Sequence, residues 1–212
     1  VFVEKPLAIT EEELSEVIES YEKNNVNISV GFNRRFAPHI VKMKDLLSKQ
    51  KTPKSIIITV SSGEIPKDHW VHDNLIGGGR IIGEVCHFLD LLVYLTGSLI
   101  IDINTCSMKH FHGNNIFVTL KLENGSIGNI HYITNGNRGF PKERVEIFQS
   151  EKIIQINNFK SIKFYGWKNQ NSKFSFTQNK GAQKMINTFL NNDLTDQIAS
   201  IEEIINVTEA SF

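Results

Sequence analysis

Apolar residues recur along the chain with two different periods, and the places where the period changes mark its elements. Two short apolar runs, "VFVEKPLAI" and "NISVGFN", flank a stretch in which Leu14, Val17, Ile18 and Tyr21 follow helical spacing. That helix opens on a capping box, with Thr10 as N-cap and Glu13 three residues on, and Asn24 and Asn25 end it. Pro6 stops the first run and biases Lys5 towards an extended backbone. Strand, helix and strand in such close succession predict a β-α-β unit with parallel strands. Strands of that kind need covered faces and sheet neighbours.

Helical spacing returns in "FAPHIVKMKDLLSKQ", where Pro38 lies in the first turn and Ile40, Val41, Met43, Leu46 and Leu47 form the apolar side. "SIIITVSSG" then reads as a strand, and residues 64–79 as a loop rich in polar and aromatic groups. Residues 80–96 predict a helix with Ile81, Ile82, Val85, Phe88, Leu89 and Leu92 on one side and Gly97 as its stop. From about residue 99 to 178 the pattern is strand-rich, with hairpin signals such as Asn124-Gly125, before two last helical stretches at 180–191 and about 196–211. The fold class expected is α+β: an open, mainly antiparallel sheet covered by helices on one face and preceded by the β-α-β unit. An apolar open face over residues 99–165 would need cover, and a second copy of the same sheet is the economical partner, so a homo-oligomer is expected.

Composition narrows the function. Lys plus Arg and Asp plus Glu number 23 each in 212 residues, so no basic excess points to nucleic acid. No apolar run reaches membrane-spanning length and no signal peptide is evident. Cys86 and Cys106 lie in apolar surroundings without metal-type spacing, which fits a reducing compartment such as the cytoplasm.

Candidate chemistry gathers in three places. In "LIGGGRIIGEVCHFLDLLVYLTG", Glu84 and Asp90 each stand three residues from His87, one helical turn away. An imidazole held by a carboxylate is a proton-transferring base near pH 7, although the same spacing also describes a partly exposed histidine among surface acids. The preceding glycines allow close backbone approach to a ligand. Lys5 stands at the carboxyl end of the first strand, the edge at which open α/β sheets bind ligands, although a lysine there is commonly just solvated. "HWVHDNLIGGGR" adds His69, Trp70, His72 and Asp73, whose spacing with Glu84 and His87 matches no zinc pattern; no metal is expected. His69, Trp70 and His72 instead suit the lining of a polyol pocket. Of Arg34 and Arg35, one is expected to face that cleft and the other to lie at the surface or in a salt bridge.

Taken in order, "EKP", "GFNRRFAP" and "GGGRIIGEVCHFLDLLVYLTG" resemble the Gfo/Idh/MocA family, the glucose–fructose oxidoreductases and inositol dehydrogenases, over essentially the whole chain. The resemblance implies an N-terminal Rossmann domain for NAD or NADP, of which residues 1–34 would be the C-terminal remnant, and a substrate-binding and oligomerisation domain over 35–212. It implies Lys5 and His87 as catalytic residues, Glu4, Lys5 and Pro6 beside the cofactor, and Glu84, Trp70, His69, His72 and Arg34 beside a sugar, sugar-nucleotide or polyol substrate. The Lys5–Pro6 bond is often cis in the family. Hydride transfer between a nicotinamide and a hydroxyl-bearing carbon is the implied reaction; a catalytically silent member serving assembly or ligand binding is the alternative. Two departures stand out. The family's aspartate four residues before the histidine is replaced by Gly83, with Glu84 next along and about 100° round a helix. No G-x-G-x-x-G run occurs, and both ends read as cuts through a longer protein, so this chain by itself is expected to bind NAD(P) weakly or not at all.

Overall fold

The computed structural model describes residues 1–24, 26–66, 69, 79–108, 115–191 and 197–212. Strand β1 (Phe2–Val3), helix α1 (Glu11–Asn24) and strand β2 (Ser29–Val30) form the expected β-α-β unit, with β1 and β2 paired in parallel. Thr10 Oγ1 accepts from Glu13 N–H and Glu13 Oε2 accepts from Ile9 N–H, so the capping pair closes one residue earlier on its return arm than a strict box. A 3-10 turn at Asn33–Phe36 follows, then α2 (Pro38–Ser48).

The main body is one eight-stranded sheet. Its strands are β3 (Ser55–Ser61), β4 (Ile100–Ser107), β5 (Ile116–Leu122), β6 (Ile127–Ile133), β7 (Glu143–Gln149), β8 (Lys152–Asn157), β9 (Ser161–Tyr165) and β10 (Lys173–Phe174). Their spatial order is β10-β9-β8-β7-β3-β6-β5-β4, antiparallel throughout except that β3 runs parallel to β6. β3 therefore lies between hairpins that come much later in the chain.

Alternation along the central strands sets which face is covered. Ile56, Ile58 and Val60 of β3, Ile130 and Tyr132 of β6, and Val145 and Ile147 of β7 point into the core. Helix α3 (Cys86–Thr96), α2 and α5 (Ile201–Glu209) cover that face, and α4 (Ala182–Leu190) packs beside the 3-10 turn. All residues of α3 are buried, so the one-sided stripe expected for it is corrected: the helix is packed between the sheet and its neighbouring helices and needs no polar face. Gly128 lets it approach β6, because a Cβ there would lie 2.7 Å from Leu92. The segment before it, Ile81–Val85, forms a π-turn rather than regular α-helix.

The open face is mixed rather than apolar. Phe117, Ile127, Phe148 and Tyr165 are exposed there, in rows shared with Lys121, Thr119, Asn129 and Lys163. No helix among the described residues is long and apolar enough to cross a membrane.

Candidate active site

Five segments distant in sequence meet at one pocket of about 190 Å³, lined by Lys5, Arg34, Val60, Glu84, His87, Phe88, Lys142 and Glu143. β1 delivers Lys5, and the Lys5–Pro6 bond that follows is cis. The 3-10 turn delivers Arg34, the π-turn and α3 deliver Glu84 and His87, and the start of β7 delivers Glu143. The pocket thus sits where the β-α-β unit meets the sheet and its covering helix.

The π-turn has a direct consequence. Gly83 O accepts a hydrogen bond from Lys5 Nζ at 2.6 Å. At the sequence position where the resemblance implies an aspartate, this chain thus offers a backbone oxygen to Lys5, and local widening of a helix is a common way to re-aim groups at a functional site. Glu84 is turned elsewhere: its Oε2 accepts from the Tyr132 hydroxyl at 2.7 Å.

His87 is buried, and neither neighbouring acid holds it. Asp90 is taken by Arg35 at 2.7 Å, and His87 Nδ1 has no hydrogen-bond partner among the described residues. The carboxylate-held imidazole read from the spacing is thereby corrected, as is the partly exposed alternative. The physical reason is that α3 is covered on every side, so Asp90 lies against Arg35 from the 3-10 turn rather than beside the imidazole. Burial, and then the positive charges of Arg34, Lys5 and Lys180, push the imidazole well below its usual pKa. Both effects favour the neutral imidazole.

Arg34 and Arg35 are both buried and both ion-paired, so neither is a surface arginine. Arg34 forks onto Glu143, with Nε and Nη2 each 3.0 Å from a carboxylate oxygen, and Lys180 Nζ binds the same carboxylate. Burial raises the Glu143 carboxyl, but Arg34 and Lys180 together outweigh it and hold it below the usual carboxylate range. Cys86, beside His87 in sequence, is no nucleophile, since burial pushes its thiol up to about 12.

The remaining sequence candidates are placed as follows. Glu4 is exposed at the end of β1, and Pro6 is half-buried beside Lys5. His69 is exposed; Trp70, His72 and Asp73 lie outside the described residues. No group of three or more metal-ligating side chains occurs among the described residues. Glu143, Lys142, Lys180 and Tyr132 escaped the sequence reading. Two of them carried a signal: alternation along "ERVEIFQ" and "IGNIHYI" puts Glu143 and Tyr132 on the inward face with Val145, Ile147 and Ile130, and a polar group in an inward register demands a partner. Lys180 carried none. Gly181 after it packs so tightly on the 3-10 turn that a Cβ would lie 2.5 Å from Asn33 O, and Asn33 Nδ2 donates to Lys180 O at 3.0 Å, so long-range contacts with the turn bring the lysine to Glu143.

No protein-family model matches the chain. It is 29% identical over 168 residues to an uncharacterized oxidoreductase, YrbE, of Bacillus subtilis, covering 74% of this chain and 48% of that protein. It is 24% identical over 166 residues to a myo-inositol 2-dehydrogenase of Thermotoga maritima, covering 74% of this chain and 49% of that protein. The chain therefore spans about half the length of these curated relatives. Among solved structures, the transcriptional regulator Gal80p of Kluyveromyces lactis superposes with a TM-score of 0.79 at 16% identity, covering 99% of this chain and 65% of that one, a likeness of fold. In sequence and in fold, the chain is similar to the oxidoreductases of the Gfo/Idh/MocA type, the family that its motifs resemble.

Proposed function

We propose that the protein carrying this chain is an NAD(P)-dependent oxidoreductase that moves a hydride between nicotinamide and a hydroxyl-bearing carbon of a sugar, sugar nucleotide or polyol. The observation that carries this reading is the meeting of Lys5, His87, Glu84 and Arg34 in one pocket at the carboxyl end of β1. The carboxyl end of parallel strands is where α/β sheets receive nucleotides, so the residues present suit the reactive end of a dinucleotide, with Glu4 and Pro6 flanking Lys5. The nicotinamide, when bound, supplies the hydride acceptor. The protein handles the proton: the Lys5 ammonium donates to the substrate hydroxyl oxygen, and neutral His87 takes the hydroxyl proton. Glu84 accepts from a second hydroxyl, and Arg34 fixes the pocket wall through Glu143. A substrate-binding role for His69, Trp70 and His72, read from the sequence, is part of the same proposal.

Residues 1–34 act in this reading as the end of the dinucleotide-binding domain, and 35–212 as the substrate and assembly domain. The exposed rings on the open sheet face support a homo-oligomer; a cytoplasmic location belongs to the same proposal and rests on the cysteine usage alone. Light scattering at micromolar concentration should return a multiple of the monomer mass; a monomer would contradict the assembly. The activity is tested by following nicotinamide reduction with the intact protein, NAD or NADP, and a panel that includes myo-inositol, hexoses and nucleotide sugars. Reduction with at least one is expected, and none at all would refute it. The alternative is a catalytically silent relative used for assembly or ligand binding. Gly83 in place of the family's aspartate and the fold shared with a transcriptional regulator favour it.

A further inference from the structure

Two buried side chains beyond the pocket wall, Arg80 and Tyr132, form a single chain of contacts that ends at Glu84. Tyr132 is 0% exposed and sits on β6, whose neighbours β3 and β5 pair with it on both sides at Val60 and Ile116. Its hydroxyl donates to Glu84 Oε2 at 2.7 Å. Glu84 Oε1 has no protein partner among the described residues, and Glu84 lines the pocket. Arg80, 1% exposed, lies with its guanidinium 5.4 Å from the Tyr132 ring centre. It also donates to Gly63 O at 2.9 Å and Ser62 Oγ at 2.6 Å. The arginine thereby ties the end of β3 to the start of the π-turn and closes the far side of the tyrosine ring.

Glutamate has several free torsions, and one that stands on a π-turn has no regular helical neighbours to limit them. A hydrogen bond from a sheet-anchored phenol removes that freedom at one oxygen and leaves the other for a ligand. Burial, followed by the Glu84 charge, raises the Tyr132 pKa, so the phenol stays protonated and remains a donor across the working range.

We propose that Tyr132 is a positioning residue: its hydroxyl fixes the Glu84 carboxylate at the pocket wall so that Oε1 meets a substrate hydroxyl. The role of Glu84 rests on the dehydrogenase reading above; the hold of Tyr132 on it does not.

The test is a double-mutant cycle in the intact protein, with Y132F, E84Q and the pair, read as kcat/KM for a polyol that the wild type turns over. Each single variant should lose about tenfold, and the double variant no more than the worse single, because both remove one device. Phe keeps the ring under Arg80, and an unchanged thermal midpoint for Y132F would show the fold intact. Multiplied losses in the double variant, or full activity in Y132F, would overturn the proposal. A second readout needs no turnover. The Tyr132 hydroxyl proton should appear in the proton NMR spectrum as a slowly exchanging resonance that both Y132F and E84A remove. Its absence from the wild type, or its survival in E84A, overturns the proposal whatever the kinetics. Its presence in a wild type that oxidises no polyol leaves the positioning standing and sinks the dehydrogenase reading instead.

Discussion

Arg34 and Arg35 are neighbours in one 3-10 turn, both buried, and each lies over a ring of α3: Arg34 4.8 Å from Phe88 and Arg35 5.1 Å from Tyr94. Each also grips a buried carboxylate. Their surroundings separate them. Arg34 meets Glu143, which has Lys180 as a second cation and borders the pocket that holds Lys5 and His87. Arg35 lies between two carboxylates, Asp90 at 2.7 Å and Glu203 at 2.8 Å, with Asp90 sealed under α3. The charge balance decides the titration. Two cations hold Glu143 low, whereas burial, with Glu203 adding to it, pushes Asp90 up to about 7 against the pull of Arg35. One cluster is therefore a charged pocket wall and the other a tie between the turn, α3 and α5.

The largest effect should come from breaking the sealed cluster. Arg35→Met leaves two carboxylates without their shared cation and should cost about 3–5 kcal/mol of unfolding free energy in denaturant titration. Arg34→Met should cost less, about 1–3 kcal/mol, because Lys180 still meets Glu143. Equal losses would mean that the two clusters are structural alike.

Next in size are the pocket residues that the arginine wall surrounds. Lys5→Ala and His87→Ala in the intact protein should each lower kcat by about 10² or more. Full activity in both variants would remove the catalytic assignment. Glu84→Gln should cost less than either, since it holds the substrate and moves no proton.

The smallest test sets the two regions against each other through pH. The folded pKa of His87 is depressed, so the unfolded chain binds the extra proton below about pH 6.5; its contribution is complete above that and is lost as pH falls. The folded pKa of Asp90 is raised to about 7 from 3.8, so the folded chain holds the extra proton between those values, and its contribution declines as pH rises through that window. The two slopes oppose each other just below about pH 6.5, each at most about 1.4 kcal/mol per pH unit. Relative to wild type, Asp90→Asn should make the thermal midpoint rise more with pH, and His87→Gln should make it fall more. Parallel profiles in all three proteins would contradict both assignments.

Legibility followed the range of the interactions. The capping residues of α1, the parallel β-α-β unit and the stop of α3 at Gly97 depend on neighbours within a turn or one short connection, and the pattern of residues displays them. Lys5 and His87 stood out because strand ends and helix turns restrict where side chains go. The partner of His87 did not: the spacing offered Glu84 and Asp90, and both are engaged by residues far away in sequence, Tyr132 and Arg35. Pairwise spacing along a helix says which groups can meet, but a competing partner from another element wins when it is charged or better aimed.

By itself, then, the sequence determined the local elements and the mixed α+β character, and it singled out the two groups proposed for proton transfer, because period and capping act over a few residues. Only tertiary structure decided that β3 runs between β6 and β7, that α3 is buried on all sides, and that Gly83 offers its backbone oxygen to Lys5. It also decided that two adjacent arginines serve a pocket and a core. In each case the deciding contact joins residues distant in sequence, and its energy comes from burial and charge at a place that the folded chain alone creates.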